Sequence, residues 1–460
     1  MKTTGLVRVT VAAPRRRIDM ALPERSPVAE ILPALLRHGG ESLADDGAAD
    51  GGWLLRRADG TALDSARSLG AHRVHDGEVL HLVSRRTEWP ELEYDDLVDA
   101  IATGAGRTGR LWGPLQTRQA GLAAGAIGVL LALVAVLRAG PPWPGPGYVA
   151  LGFALALLAA GTALSRAMGD AGAGSVLAAL ALPHAFAGGA LLPGGGLALT
   201  EFGAPQVLGG CSALLLVAVL GYLGVADRAA VFATGATAGL FGALGAWAAS
   251  TEPVDAAGAA AIVAGVTLVF SPLFTPLAIR LSRVPMPVLP RTAADLVRDD
   301  PQPPRHAVYA AVLRADALLT GMISGSALVT VVCQIVLALA GSTTAVVLLV
   351  LLCLGFCLRA RLYPAIRHRM PMLATGLTGA ACLAAGPLMA DSAHLIVMVG
   401  PVLLVGAGLI VLIGLVYSRK TPNAYLGRYA ETLEVLIVLA CVPVVCGIVG
   451  LFGFVRGLGG

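Results

Sequence analysis

The feature that most constrains this chain is a series of eleven apolar stretches beginning at Gln119: residues 119–138, 147–165, 171–193, 204–226, 229–250, 256–279, 317–340, 343–359, 371–390, 394–417 and 432–455. A helix crosses a hydrocarbon core of about 30 Å with about 20 mostly apolar residues. Each stretch reaches or approaches that length, the eighth being the shortest. Hydrophobic residues make up 56% of the 460 residues and charged residues 13%, roughly half the charged share of a soluble domain. With a mean hydropathy of +0.76, that balance excludes disorder and argues against an ordinary soluble enzyme. The expected fold class is an α-helical polytopic membrane protein with eleven transmembrane helices, over residues 119–456.

Basic residues test the count, because cytoplasmic loops are enriched in Arg and Lys. With the N-terminus inside, one side holds fifteen: Arg166, Arg228, Arg280, Arg283, Arg291, Arg298, Arg305, Arg314, Arg359, Arg361, Arg367, Arg369, Arg419, Lys420 and Arg428. The other side holds two, Arg138 and Arg456. A missed span would invert every later loop and destroy the asymmetry. The expected topology is a cytoplasmic N-terminus and an extracytoplasmic C-terminus. The N-terminal MKTTGLVRVTVAAPRRR lacks an uninterrupted apolar core and does not read as a secretory signal. The net charge of +4 gives no reason to expect a nucleic-acid partner.

Charge is concentrated in the first 118 residues. Val7, Val9 and Val11 alternate with Arg8 and Thr10, and Ile18, Met20 and Leu22 alternate with Arg17, Asp19 and Ala21, so a two-stranded hairpin is expected. Ser26-Pro27 reads as the start of a helix whose apolar face is Val28, Ile31, Leu32, Leu35 and Leu36, ending at Gly39-Gly40. Trp53-Leu54-Leu55, the turn Asp59-Gly60, and the strand Val79–Val83 after Asp76-Gly77 complete an order β-β-α-β-β within residues 1–86. That is the order of a ubiquitin-like β-grasp domain. Residues 87–118 read as a linker, first acidic (Glu88, Glu91, Glu93, Asp95, Asp96, Asp99) and then basic (Arg107, Arg110, Arg118), with a short amphipathic helix possible in the acidic part.

Groups that carry chemistry are sparse among the spans. Ionisable residues at membrane depth are costly and usually functional, and the candidates are His184, Gln334 and Glu434, the last expected near the headgroups beside Arg428. His184 reads first as a hydrogen-bonded structural histidine and second as a proton site. No paired carboxylates, HExxH, GxSxG or Walker sequence is present, and the seven cysteines all lie in apolar stretches without CxxC spacing. Neither catalysis, metal nor cofactor is indicated. Small residues are abundant: Gly121 and Gly125, Gly235 and Gly239, and Gly321 and Gly325 form three GxxxG pairs, the spacing that lets helix backbones approach closely. The longest loop, residues 280–316, is Pro-rich at PMPVLP and PQPP and is expected to be a cytosolic protein-contact surface or a tether.

The combination of VRVTVAAPRRRIDMALP (7–23), PVAEILPALLRHGG (27–40), GGWLLRRADGTALD (51–64), GEVLHLVSR (77–85) and YDDLVDAIA (94–102) with eleven spans resembles EccD, the polytopic membrane component of the type VII (ESX) secretion systems. The resemblance implies a non-enzymatic component of a bacterial inner (plasma) membrane complex. It implies two copies that enclose a lipid-filled vestibule within a hexameric assembly, a ubiquitin-like domain that docks the FtsK-like ATPase EccC, and EccB and EccE as further partners. A secondary transporter of small solutes with a regulatory β-grasp domain is the alternative. It would call for a midplane polar site and often an internal repeat, for which His184 alone is a candidate.

Overall fold

The computed structural model describes residues 5–13, 16–39, 52–84, 112–225, 227–252, 254–285, 304–389, 399–419 and 424–453. The chain divides into two compact units, Met1–Trp112 and Gly113–Gly460.

In the first unit, β1 (Leu6–Ala12) and β2 (Arg17–Pro23) pair antiparallel with Val9 opposite Met20. Helix α1 (Val28–Gly39) follows, then β3 (Trp53–Arg57) and β4 (Glu78–Ser84). Strand β4 lies parallel to β1 and antiparallel to β3, giving the sheet order β2-β1-β4-β3. The period-two alternation buries Val7, Val9 and Val11 on one face, and the period of α1 turns Val28, Ile31 and Leu35 onto the same core with Leu55, Leu80 and Leu82. Leu63, Leu69 and Val74 from the β3–β4 connection close it. On the edge strand β2 only Leu22 is fully buried, while Ile18 and Met20 are half-covered. Gly60 and Gly77 sit at φ +90° and +82°, the left-handed conformation that favours glycine in the two expected Asp-Gly turns. The acidic helix expected within 88–101 lies outside the described residues.

The second unit is entirely helical. Helices α2 (Pro114–Arg138), α3 (Pro144–Arg166), α4 (Ala171–Leu191), α5 (Ala204–Gly224) and α6 (Ala229–Ala249) are followed by α7 (Ala256–Phe270), which passes through a 3₁₀ turn at Ser271–Leu273 into α8 (Phe274–Leu281). Pro272 stands in that turn, where its missing N–H interrupts the α-helical ladder. Then come α9 (Arg305–Ala340), α10 (Thr343–Arg359), α11 (Ile366–Met389), α12 (Gly400–Arg419) and α13 (Ala424–Ile448). Asp170, Asp255 and Ser342 cap α4, α7 and α10 by accepting from the backbone N–H groups of Ala173, Gly258 and Ala345.

Among the described residues, ten helices are long and apolar enough to cross a membrane, counting α7 and α8 as one. The ninth expected stretch forms α11, long enough at 24 residues but opening on Arg367, His368 and Arg369, and it is not one of the ten. It is nonetheless packed into the bundle, with Met372 and Thr375 fully buried.

The loop expected over 280–316 is shorter than the charge pattern suggested. Helix α8 continues to Leu281 and α9 already begins at Arg305, after Pro304 in extended conformation. Residues 305–316 include Ala307, Ala310, Ala311, Leu313 and Ala315, good helix formers, alongside the charged Arg305, Arg314 and Asp316, so a hydropathy criterion for spans starts the helix too late. Most of the PMPVLP segment, and all that follows it up to residue 303, lies outside the described residues.

One buried cluster joins α7, α9, α10, α11 and α13 around Leu268, Ile323, Leu337, Leu348, Phe356 and Met372. A second joins α3 to α6, with Ala154, Ala178, Ala181, Ala185 and Ala218 interleaved with Leu158, Leu182, Val217, Val225 and Phe232. Helix α12 has no buried residue in its apolar window.

Candidate functional site

In the ubiquitin-like unit the histidines serve local bonds. His38 Nδ1 lies 2.8 Å from the Ala34 carbonyl oxygen and His72 Nε2 lies 3.1 Å from that of Asp64. Arg57 ties the β3–β4 connection together, donating to the carbonyls of His72 and Arg73 while its Nε lies 2.9 Å from Glu78. The unit exposes Arg8, Arg17, Arg25, Arg37 and Arg67 together with Asp19, Glu30, Asp59, Asp64 and Asp76, a mixed charged surface. Among the described residues that arrangement brings no nucleophile and base together.

In the membrane unit the charged side chains join helices to one another. Glu434 on α13 receives Arg359 Nε at 2.8 Å and Arg361 Nη2 at 3.2 Å, and Arg361 also donates to the Gly427 carbonyl. Glu434, expected near the headgroups, therefore bridges α13 to the end of α10 through a nearly buried ion pair across more than 70 residues of sequence. Asp316 on α9 binds Arg367 at 2.8 Å, and Thr320 meets His368 Nε2 at 3.0 Å, which fastens α9 to the start of α11. Arg118 pairs with Asp170, joining α2 to the cap of α4. The N–H groups of Ala173 and then the Arg118 guanidinium hold the Asp170 carboxyl below its ordinary value. Arg166 donates to the last carbonyls of α5, those of Gly224 and Leu223. All of these contacts fall at helix ends that the alternation of spans assigns to the Arg-rich side. They close off free helix termini and leave no line of charge through the bundle.

The three glycine pairs have different fates. A Cβ on Gly239 would stand 2.8 Å from the Leu215 nitrogen, and one on Gly235 3.1 Å from the Ala218 Cβ, so this pair seats α6 against α5. A Cβ on Gly321 would stand 2.8 Å from the Ala230 oxygen and one on Gly325 2.6 Å from the Thr234 oxygen, so this pair seats α9 against α6. Gly121 and Gly125 on α2 meet nothing within 4 Å. Deeper in the bundle, the Thr267 and Thr330 hydroxyls bond each other at 2.9 Å between α7 and α9. His184 Nδ1 lies 2.9 Å from the Leu180 oxygen, while His184 Nε2 and both amide atoms of Gln334 are buried without a partner. Among the described residues no group of three His, Cys, Asp or Glu is placed to hold a metal, and Cys211, Cys333 and Cys441 are buried free thiols.

Fold and contacts together define a multi-spanning membrane protein that carries a ubiquitin-like domain. The EccD-like transmembrane domain family model matches residues 117–458, and the model for YukD of the WXG100 protein secretion system matches residues 6–82. The chain belongs to the EccD family. It is 31% identical over 307 residues to the ESX-3 secretion system protein EccD3 of Mycolicibacterium smegmatis, covering 62% of each. It is 33% identical over 127 residues to the ESX-4 secretion system protein eccD4 of Mycobacterium tuberculosis, spanning about a quarter of that relative, 26%. A solved structure of protomer 1 of the ESX-3 core complex shares the fold with a TM-score of 0.60 at 23% identity, covering 98% of this chain and 100% of that one. The MycP5-free ESX-5 inner membrane complex gives 0.55 at 21% identity, covering 88% and 99%.

Proposed function

We propose that this chain is a non-catalytic scaffold of an ESX-type protein secretion complex in the bacterial inner membrane. The observation that carries the reading is the joining, on one chain, of a YukD-like ubiquitin fold to an EccD-like membrane region whose charged side chains fasten helix ends. Residues 1–86 dock the FtsK-like ATPase EccC, with EccB and EccE as further partners, and energy and substrate recognition reside in the ATPase. The N-terminus is cytoplasmic and the C-terminus extracytoplasmic. Two copies associate through the membrane region around a lipid-filled vestibule within a hexameric assembly. The uncovered face of α12 supports such an association, because no described residue of its own chain buries it.

The test is extraction of the tagged protein from native membranes in mild detergent, followed by native electrophoresis and identification of co-migrating chains. A particle much larger than a dimer that contains the ATPase is the expected result. A lone monomer or dimer from membranes that contain the ATPase overturns the scaffold reading. Removal of residues 1–86 should leave the protein inserted while abolishing both co-migration of the ATPase and secretion.

A further inference from the structure

On the Arg-rich side of the membrane unit, five arginines are already held. Arg118 pairs with Asp170, Arg359 and Arg361 with Glu434, and Arg367 with Asp316, while Arg166 donates to the end of α5. Four others are exposed and, among the described residues, have no acidic partner: Arg228 before α6, Arg280 and Arg283 at the end of α8, and Arg314 on α9. The carboxylates beside them in sequence are occupied. Asp227 accepts from the Arg228 backbone N–H, and Asp316 binds Arg367.

Packing brings the four to one corner. Ala233 on α6, Ala278 on α8 and Leu318 on α9 form one buried cluster where the three helix ends meet. Arg228 lies five residues before Ala233, Arg280 and Arg283 two and five after Ala278, and Arg314 four before Leu318. All four offsets run toward the Arg-rich side, and none exceeds about 8 Å along a helix axis. Arg314 also precedes Gly321 by seven residues, so it continues the stripe of α9 that packs against α6. Because α6 begins only at Ala229, that stripe runs on past its N-terminus, whose dipole adds positive potential.

The depth of the corner selects the partner. Helix α6 has 21 residues, about 31 Å, enough to fill a hydrocarbon core of about 30 Å. Arg228, directly before it, therefore stands at headgroup level, and the other three share that level. From there into the bilayer, Leu273, Leu277 and Leu281 form an exposed stripe at four-residue spacing along the 3₁₀ turn and α8. Guanidinium groups take phosphate through charge-assisted hydrogen bonds, and the leucines offer a track for hydrocarbon. An acidic protein segment would meet the same charges but could not follow that track into the bilayer.

We propose that this corner of α6, α8 and α9 is a binding site for an anionic phospholipid, its phosphate held by Arg228, Arg280, Arg283 and Arg314 and one acyl chain lying along the leucine stripe. The site lies within one subunit and does not rest on the secretion-complex reading.

The experiment is native mass spectrometry of the full-length protein in detergent, titrated with dioleoyl phosphatidylglycerol or with dioleoyl phosphatidylcholine, which has the same chains and no net charge. Phosphatidylglycerol should bind and phosphatidylcholine should not. Arg280→Gln with Arg314→Gln should weaken phosphatidylglycerol binding about 25-fold, about fivefold per arginine. Arg369→Gln with Arg428→Gln removes the same charge from exposed positions on α11 and α13 and should leave binding unchanged. Equal loss in the two double variants would reduce the effect to overall charge and overturn the proposal, as would equal binding of the two lipids by the wild type, a comparison that stands if a variant fails to fold. Displacement of the bound lipid by inorganic phosphate, but not by chloride at equal ionic strength, would assign the corner to a free anion and also overturn it. Displacement by an equimolar polyglutamate peptide would assign it to an acidic protein segment, with the same consequence.

Discussion

The two units of this protein bury different side chains for the same purpose. The ubiquitin-like unit is closed by Val9, Val11, Ile31, Leu35, Leu55, Leu69 and Leu80, large aliphatic groups whose removal from water drives folding. The membrane unit has no such drive between helices, because lipid tails are as apolar as leucine. Along α4 and α6 its contacts run through Gly188, Gly189, Ala178, Ala185, Gly235 and Gly239, which stabilise by close approach of backbones. Large apolar residues such as Leu404, Ile410 and Leu412 on α12 stay exposed. Residue size alone therefore does not report burial in the membrane unit, where Leu268, Leu348 and Phe356 are buried while the large residues of α12 are not.

Four measurements test that contrast. Leu55→Ala should destabilise the first unit by about 2–5 kcal/mol, transfer plus cavity, with the helical signal of the membrane unit retained on chemical denaturation; loss of both signals together would break the contrast. Gly321→Ala adds one methyl to the α9–α6 contact and should destabilise the bundle by about 1–3 kcal/mol, while Gly121→Ala, facing open space, should be neutral or stabilising in thermal aggregation assays. Equal effects of the two substitutions would show that glycine position is irrelevant to packing. Gln334→Leu replaces a buried amide that has no partner and should raise the melting temperature, since a stranded polar group costs about 1–3 kcal/mol; a fall would reveal a partner contributed by another chain. The smallest effect belongs to Asp170. Its folded carboxyl titrates below the usual 3.8, so its contribution is complete above that value and is lost as pH falls through the lower folded one. Asp170→Asn should flatten the dependence of melting temperature on pH below about 4, and an unchanged profile would show that the Arg118–Asp170 contact contributes nothing.

Much of this architecture was legible beforehand because it is written in periods. The alternation of Val7, Val9 and Val11, the 3.6-residue stripe from Val28 to Leu36 and the Asp-Gly turns each act over a few residues, and all three appear in the structure. The polar sites were legible only as residue types. His184 was visible as a histidine in an apolar span, and its hydrogen bond to Leu180 is the structural role first read for it. That its Nε2 is left buried without a partner depends on how the other helices pack. Glu434 was legible as a carboxylate near a helix end, but its partners Arg359 and Arg361 are near it only in space. The three GxxxG pairs were indistinguishable on paper, since spacing marks a surface of close approach without naming what approaches.

The sequence alone determined that the chain enters a bilayer, roughly where each helix crosses, and that a β-grasp unit precedes them, because hydropathy and strand or helix periodicity are local properties of consecutive residues. Tertiary structure decided which glycines carry helix contacts, which arginines neutralise Glu434, where α9 begins, and that one nitrogen of His184 is buried without a partner. Those outcomes depend on distances between helices far apart in sequence, and a distance exists only once the helices have packed.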